Sequence, residues 1–314
     1  MEPVNKNASP EARKLLQYLY DVAGEQIITG QHTQSVAMEE IDYIKDQTGK
    51  TPKLRGFELL SYSPNIKYDG ASYACLKEVY ENRNTLKVAK EWALKEKGNG
   101  ILAFTFHWFS PLYGEDKSFY TEHTTFDPQK VLVEGTPERK AFFDDLDAIA
   151  KELAVFRDLN IPVLWRPFHE SDGVWFWWGS KGPAVAAELF KLMFNHYVNH
   201  HHLDNLLWVS NCPLKEGYPG DDYVDVITRD LYPQDSSPTD FAKQYEELCR
   251  NIGSDKVKAL AEIGRIPDVD VLKKSRVPWA YYMTWSHEFC IGESNNPVER
   301  LKRMYASDYA ITLD

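Results

Sequence analysis

Along the whole chain, short apolar runs rich in β-branched and aromatic residues alternate with longer stretches whose apolar positions recur at helical spacing. The short runs are "QIITGQH", "PKLRGFELL", "GILAFTFHW", "IPVLWRPFHE", "LLWVSN", "VDVITRDLY", "VKALAEIG" and "WAYYMTW". Between them lie helical patterns such as "SVAMEEIDYIKDQTG", "SYACLKEVYENRNTLKVAKEWALKEKG", "PERKAFFDDLDAIAKELAVFRDLN" and "PAVAAELFKLMFNHYVNHH". Several open with Ser or Pro and close near Gly or Asn, as helix boundaries do. Near-continuous apolar strands separated by helices predict a parallel sheet covered on both faces. Eight strand–helix units in about 250 residues predict an α/β protein, a (β/α)8 TIM barrel, as a single domain over residues 1–314. A doubly wound open sheet would want a glycine-rich phosphate loop after the first strand, and "TGQHTQS" is not one.

Composition sharpens this picture by exclusion. At 314 residues and 43% hydrophobic, the chain can bury a full core, and no Pro/Gly/Ser linker or sequence repeat divides it. The 36 basic and 47 acidic residues give a net charge of −11, without the basic excess that binding to phosphates requires. Nucleic acid and an anionic membrane surface are therefore not expected partners. No segment approaches the roughly 20 apolar residues that span a bilayer, and "MEPVNKNASPEARK" carries no hydrophobic signal region. Cys75, Cys212, Cys249 and Cys290 are scattered, with the spacing of neither a zinc site nor a disulfide framework.

A barrel places its chemistry where strands end and loops begin. The polar residues at those points are His107, His169 with Glu170, Asp230 with Tyr232, and Glu262, joined by the aromatic Trp285. A carboxylate that closes an apolar run faces a desolvation cost unless it has partners or a purpose, and Glu170 and Glu262 both do so. Two carboxylates at one mouth suit glycoside hydrolysis, in which one protonates the leaving oxygen and the other attacks or activates water. The nine tryptophans, several in loops after strands, could stack on the C–H faces of sugars, and an acidic protein suits a neutral carbohydrate.

The segments "WRPFHESDGVWFWWG", "AEIGRIPD", "YPGDDYVDVITRDLY", "FTFHW" and "YYMTWS" together resemble glycoside hydrolase family 26, best known for endo-β-1,4-mannanases, and the order of motifs along the chain matches that family. The resemblance runs from about Gln26 to the C-terminus. It implies a retaining (β/α)8 glycosidase, with Glu170 as acid/base after the fourth strand and Glu262 as nucleophile after the seventh. It also implies that His169 contacts the sugar in the cleavage subsite, that Tyr232 hydrogen-bonds the nucleophile, and that His107, Trp175 and Trp285 line the subsite. The expected substrate is a β-linked polysaccharide or oligosaccharide, β-1,4-mannan or galactomannan first. β-1,3-Xylan, mixed-linkage glucan and release of mannobiose from chain ends are alternatives within the family. Ser171-Asp172, Arg229 and "SHEFCIGES" depart from the family pattern and bear on that choice.

Plainer readings stand beside these. The rings from Trp175 to Trp178 could be core, and Trp175 is the one expected to face a ligand. His200-His201-His202 closes an amphipathic helix, where imidazolium complements the dipole, so no metal is expected there. Two other functions compete: a metal-dependent barrel enzyme ligated by His169, Glu170 and Asp172, and a carbohydrate-binding protein without turnover. The overall expectation is an enzyme that needs no cofactor or metal, acts as a monomer and works outside the cell, with any signal peptide absent from this chain.

Overall fold

The structure is a computed structural model that describes residues 1–33, 38–235 and 237–314. The strands are β1 (Ile27–Ile28), β2 (Gly30–Thr33), β3 (Leu54–Glu58), β4 (Ile101–Thr105), β5 (Val163–Arg166), β6 (Leu206–Ser210), β7 (Val226–Leu231), β8 (Val257–Ile263), β9 (Trp279–Thr284) and β10 (Ala310–Ile311). From β2 to β9 each strand pairs parallel with the next, and the pairing of Gln31 with Thr284 closes the ring. This is the expected (β/α)8 barrel, and its eight strands are the eight apolar runs. β1 and β10 extend the seam beside β9.

The helices are α1 (Pro10–Val22), α2 (Glu39–Thr48), α3 (Tyr73–Glu81), α4 (Thr85–Glu96), α5 (Pro137–Asp158), α6 (Pro183–Asn199), α7 (Ala242–Ile252), α8 (Val269–Ser275) and α9 (Val298–Ala306). Two differ from the pattern read in the sequence. The stretch from Ser72 to Gly98 is two helices, because Asn84 takes a left-handed conformation (φ 61°) and the Asn82 side chain bonds back to the Glu78 carbonyl. Asn tolerates that geometry better than most residues. Between β6 and β7 only a 3-10 turn, Lys215–Gly217, replaces a covering α-helix. The first residues of the pattern beginning at Ser35 lie outside the described residues, and α2 begins at Glu39.

The core has two layers. Between strands and helices, residues such as Phe57, Phe104, Trp165, Leu260 and Ile263 pack against the helical stripes, including Phe142, Leu146, Ile149 and Leu153 of α5. Inside the ring, Leu54, Ile101, Ala103, Leu164, Leu207, Val226 and Ala259 form a second cluster with Leu15, Leu16 and Leu19 of α1. Ser9 caps α1 by accepting from the Ala12 N–H, and Pro10 occupies its first turn, where no donor is needed. The helix thereby closes the bottom of the barrel. Each leucine it buries contributes roughly 1.5–3 kcal/mol of transfer free energy. Among the described residues, no helix is long and apolar enough to cross a membrane.

Candidate active site

Strand alternation sends every second side chain into the barrel, and at the upper ends these inward positions turn polar. β3 runs Leu54, Gly56, Glu58, while β4 runs Ile101, Ala103, Thr105. β5 leads from Leu164 to Arg166, and β7 from Val226 through Thr228 to Asp230. Glu262 requires a further device. By simple alternation from Ala259 and Ala261, which face inward, it would point outward. Arg229 pairs with Leu260 but Asp230 pairs with Glu262, so β8 carries one extra residue and its phase flips. This β-bulge re-aims Glu262 into the mouth and leaves Ile263 in the outer layer.

Arg166 organises the floor of the site. Its Nη1 donates to Asp230 Oδ2 (2.6 Å) and its Nη2 to Glu262 Oε2 (2.5 Å), all three residues being buried or nearly so. Burial disfavours the guanidinium charge, but Asp230 and Glu262 hold it cationic and raise its pKa. The second oxygen of each carboxylate is also engaged. Tyr232 donates its hydroxyl to Glu262 Oε1 (2.5 Å), and Asn211 donates Nδ2 to Asp230 Oδ1 (2.8 Å). Burial and then the charge of Glu262 push the Tyr232 phenol far up, so it stays a donor.

Glu170 sits in the turn after β5 with a left-handed backbone (φ 52°), a conformation that costs a non-glycine residue about 1 kcal/mol or more. Its N–H donates to Asn211 Oδ1 (2.8 Å), which ties the turn to the end of β6. Trp175 Nε1 donates to Glu170 Oε2 (2.8 Å). Gly173 makes this possible, since a Cβ there would lie 2.1 Å from the Trp175 ring. Burial first, then the charge of Glu262, pushes the Glu170 carboxyl up to about 7, while the Trp175 N–H pulls it down. One oxygen each from Glu170, Asp230 and Glu262 lies within 4.8 Å of the others. That spacing is nearer the ~5–5.5 Å of retaining glycosidases than the ~6.5–9.5 Å of inverting ones.

His107 and His169 line the side wall. Glu58, fully buried, accepts from both the His107 N–H (2.7 Å) and its Nδ1 (2.7 Å), and His107 Nε2 meets His169 Nε2 at 3.1 Å. Burial works against a charge on His107, but Glu58 outweighs it and raises the pKa. Burial, then the neighbouring His107 and Arg166 charges, keeps His169 neutral. Trp285 closes the ring of aromatics, its back face stacked on buried His32 at 4.1 Å and its edge 5.9 Å from His107. Of the aromatic run, Phe176, Trp177 and Trp178 are buried whereas Trp175 is 47% exposed, so only Trp175 presents much of its ring to solvent.

The mouth therefore gathers all seven residues singled out in the sequence: Glu170, Glu262, His107, His169, Trp175, Tyr232 and Trp285. Two hollows flank the carboxylates. One is lined by His107, Phe119, Tyr120, Trp285 and the His287–Phe289 turn, which gives "SHEFCIGES" a place beside Trp285. The other is lined by Asp172, Trp175, Asn211, Pro213 and Arg229. Sequence reading missed Arg166, Glu58, Asn211 and His32. Arg166 had a signal, since a charge inside "VLWRPF" must find partners when the strand is buried. Nor do His169, Glu170 and Asp172 converge as ligands. Among the described residues the acidic group at the mouth is Glu170, Asp230 and Glu262, and the Arg166 guanidinium already occupies two of its three members.

Fold and site together define a (β/α)8 barrel that carries a pair of carboxylates at the C-terminal ends of its strands. The chain belongs to glycosyl hydrolase family 26, whose model matches residues 4–314. It is 37% identical to a mannan endo-1,4-beta-mannosidase of Thermothelomyces thermophilus, over 99% of this chain and 62% of that protein. It is 31% identical to mannan endo-1,4-beta-mannosidase A of Piromyces sp, over 99% of this chain and 50% of that protein. The chain thus spans about half to two-thirds of the length of these curated relatives. Among solved structures, it superposes on the Podospora anserina GH26-CBM35 beta-(1,4)-mannanase with a TM-score of 0.87 and 35% identity, covering 100% of this chain and 68% of that one. A beta-mannanase from a symbiotic protist of the termite Reticulitermes speratus, complexed with gluco-manno-oligosaccharide, gives 0.86 and 31%, covering 100% and 96%.

Proposed function

We propose that this chain is one catalytic domain, residues 1–314, that hydrolyses internal β-1,4 linkages of mannan or galactomannan with retention of configuration. The observation that carries the mechanism is the unequal treatment of two neighbouring carboxyls. Glu170 is pushed up to about 7, by burial and then by the charge of Glu262, and so holds a proton near neutral pH. Glu262 takes a donor on each oxygen, Arg166 on one and Tyr232 on the other. In the first step Glu262 attacks the anomeric carbon while Glu170 delivers its proton to the departing glycosidic oxygen, leaving a covalent glycosyl-enzyme. In the second step Glu170, now a carboxylate, takes a proton from water, which displaces Glu262 and restores both groups. His107, His169 and Trp285 form the wall and floor against which the reacting sugar lies, and Trp175 orients the acid. The mannan substrate rests on the two curated relatives named as mannan endo-1,4-beta-mannosidases. The same reading makes the protein a secreted monomer that needs no metal for turnover.

The test is the product pattern on mannan, galactomannan, mixed-linkage glucan and β-1,3-xylan. Manno-oligosaccharides of several lengths, formed first as β-anomers and at an unchanged rate after dialysis against a chelator, are the expected result. Mannobiose as sole early product would make the enzyme an exo-acting one. Preference for glucan or xylan would overturn the substrate, and α-anomers formed first would overturn retention.

A further inference from the structure

The histidines at the end of α6 do more than close a helix. His196 in its last turn and His201 just beyond it both direct Nε2 at one oxygen of Asp147, on the neighbouring helix α5, at 2.6 and 2.7 Å. The three side chains are partly exposed, at 17%, 22% and 45%, so solvent reaches them. His200 stacks on His196 with ring centroids 5.0 Å apart. One ligand atom from each of Asp147, His196 and His201 falls within 4.8 Å of the others.

We propose that Asp147, His196 and His201 bind one divalent transition-metal ion of the zinc type, which clips α5 to the end of α6. Two imidazoles and a carboxylate form a donor set suited to Zn²⁺, Co²⁺ or Ni²⁺ rather than to Mg²⁺ or Ca²⁺, which prefer all-oxygen shells. Tetrahedral Zn²⁺ with bonds of about 2.0–2.2 Å sets neighbouring ligand atoms roughly 3.4 Å apart. The present contacts are proton-bridged, so each need open by only about 0.7 Å to admit an ion. Each imidazole then gives its Nε2 lone pair to the metal and carries its proton on Nδ1, relayed through water, and a water molecule fills the fourth position. No electron changes hands. The site lies where α6 leads towards the start of β6, at the end of the barrel away from the mouth. Its ion therefore acts on stability rather than on the reaction.

Metal-stripped protein titrated with ZnCl2 should bind one equivalent and unfold about 3 °C higher at saturation. Co²⁺ should give the intense visible absorption of a four-coordinate ion. Asp147→Asn and His201→Ala, each with an unchanged circular dichroism spectrum, should weaken binding at least about 100-fold without changing the rate on mannan. Glu170→Gln should bind as the native chain does, which separates this site from the acidic mouth. Failure of the native chain to bind at about 100 times a micromolar Kd would overturn the proposal, as would equal binding by His201→Ala.

Discussion

The lower and upper halves of the barrel are built from the same strands on the same inward face, yet they obey opposite rules. Below, Leu54, Ile101, Leu164, Leu207 and Val226 form an apolar cluster that packs on α1. Two to four residues further up, the same columns present Glu58 above Gly56, Thr105 above Ala103, Arg166 above Leu164 and Asp230 above Thr228. Apolar burial below is non-directional and survives small errors of placement. The charges above are tolerated only because each meets a partner at 2.5–2.8 Å. Stability is thus concentrated at the bottom of the barrel and chemistry at its top, with Arg166 belonging to both.

Substitutions can break or sharpen this division. Glu262→Ala should lower kcat/KM on mannan by at least about 10⁴, or roughly 5.5 kcal/mol, in a protein whose urea unfolding is little changed. Azide that rescues it should yield an α-configured product, and a β-configured one would exchange the roles of the two carboxyls. Arg166→Met should cost about 3–5 kcal/mol of stability, because Asp230 and Glu262 lose their shared cation. An unchanged unfolding midpoint would show that the top half contributes only chemistry. Leu164→Ala, one turn of the alternation below, should cost roughly 2–5 kcal/mol in unfolding free energy and leave kcat/KM intact at ambient temperature. Trp285→Ala should reverse that result, with a folded protein and a loss in kcat/KM of about 10² or roughly 2.7 kcal/mol.

The smallest expected effect is on pH. Glu170 must be protonated to act as an acid, so kcat/KM on mannan should fall as pH rises through about 7. The Trp175 N–H favours the ionised form and lowers that pKa. Trp175→Phe should therefore move the alkaline limb to higher pH, whatever it does to sugar binding. A limb displaced to lower pH would show that this hydrogen bond does not govern the acid.

How much of this was legible in the sequence follows from the range of each interaction. The eight strands stood out because burial on both faces makes them continuously apolar, a property of a few adjacent residues. Glu170 and Glu262 stood out because a carboxylate at the end of such a run is costly. The break at Asn84 and the missing helix between β6 and β7 were hidden, since local pattern tolerates either outcome. The partners were hidden for another reason. Arg166 reaches 64 residues to Asp230 and 96 to Glu262, and His107 reaches 49 back to Glu58. Such pairs exist only once the ring has closed.

The bulge in β8 has a genetic corollary. Ala261 is one residue in excess over the facing strand, and the bulge absorbs it so that Glu262 still faces the mouth. Loss of the single codon for Ala261 would place the same carboxylate directly after outward-facing Leu260, where plain alternation already turns it into the mouth. Such a shortened strand would lose its bulge and keep the aim of the carboxylate. Descent within this fold is therefore freer in the length of β8 than in the inward parity of its carboxylate.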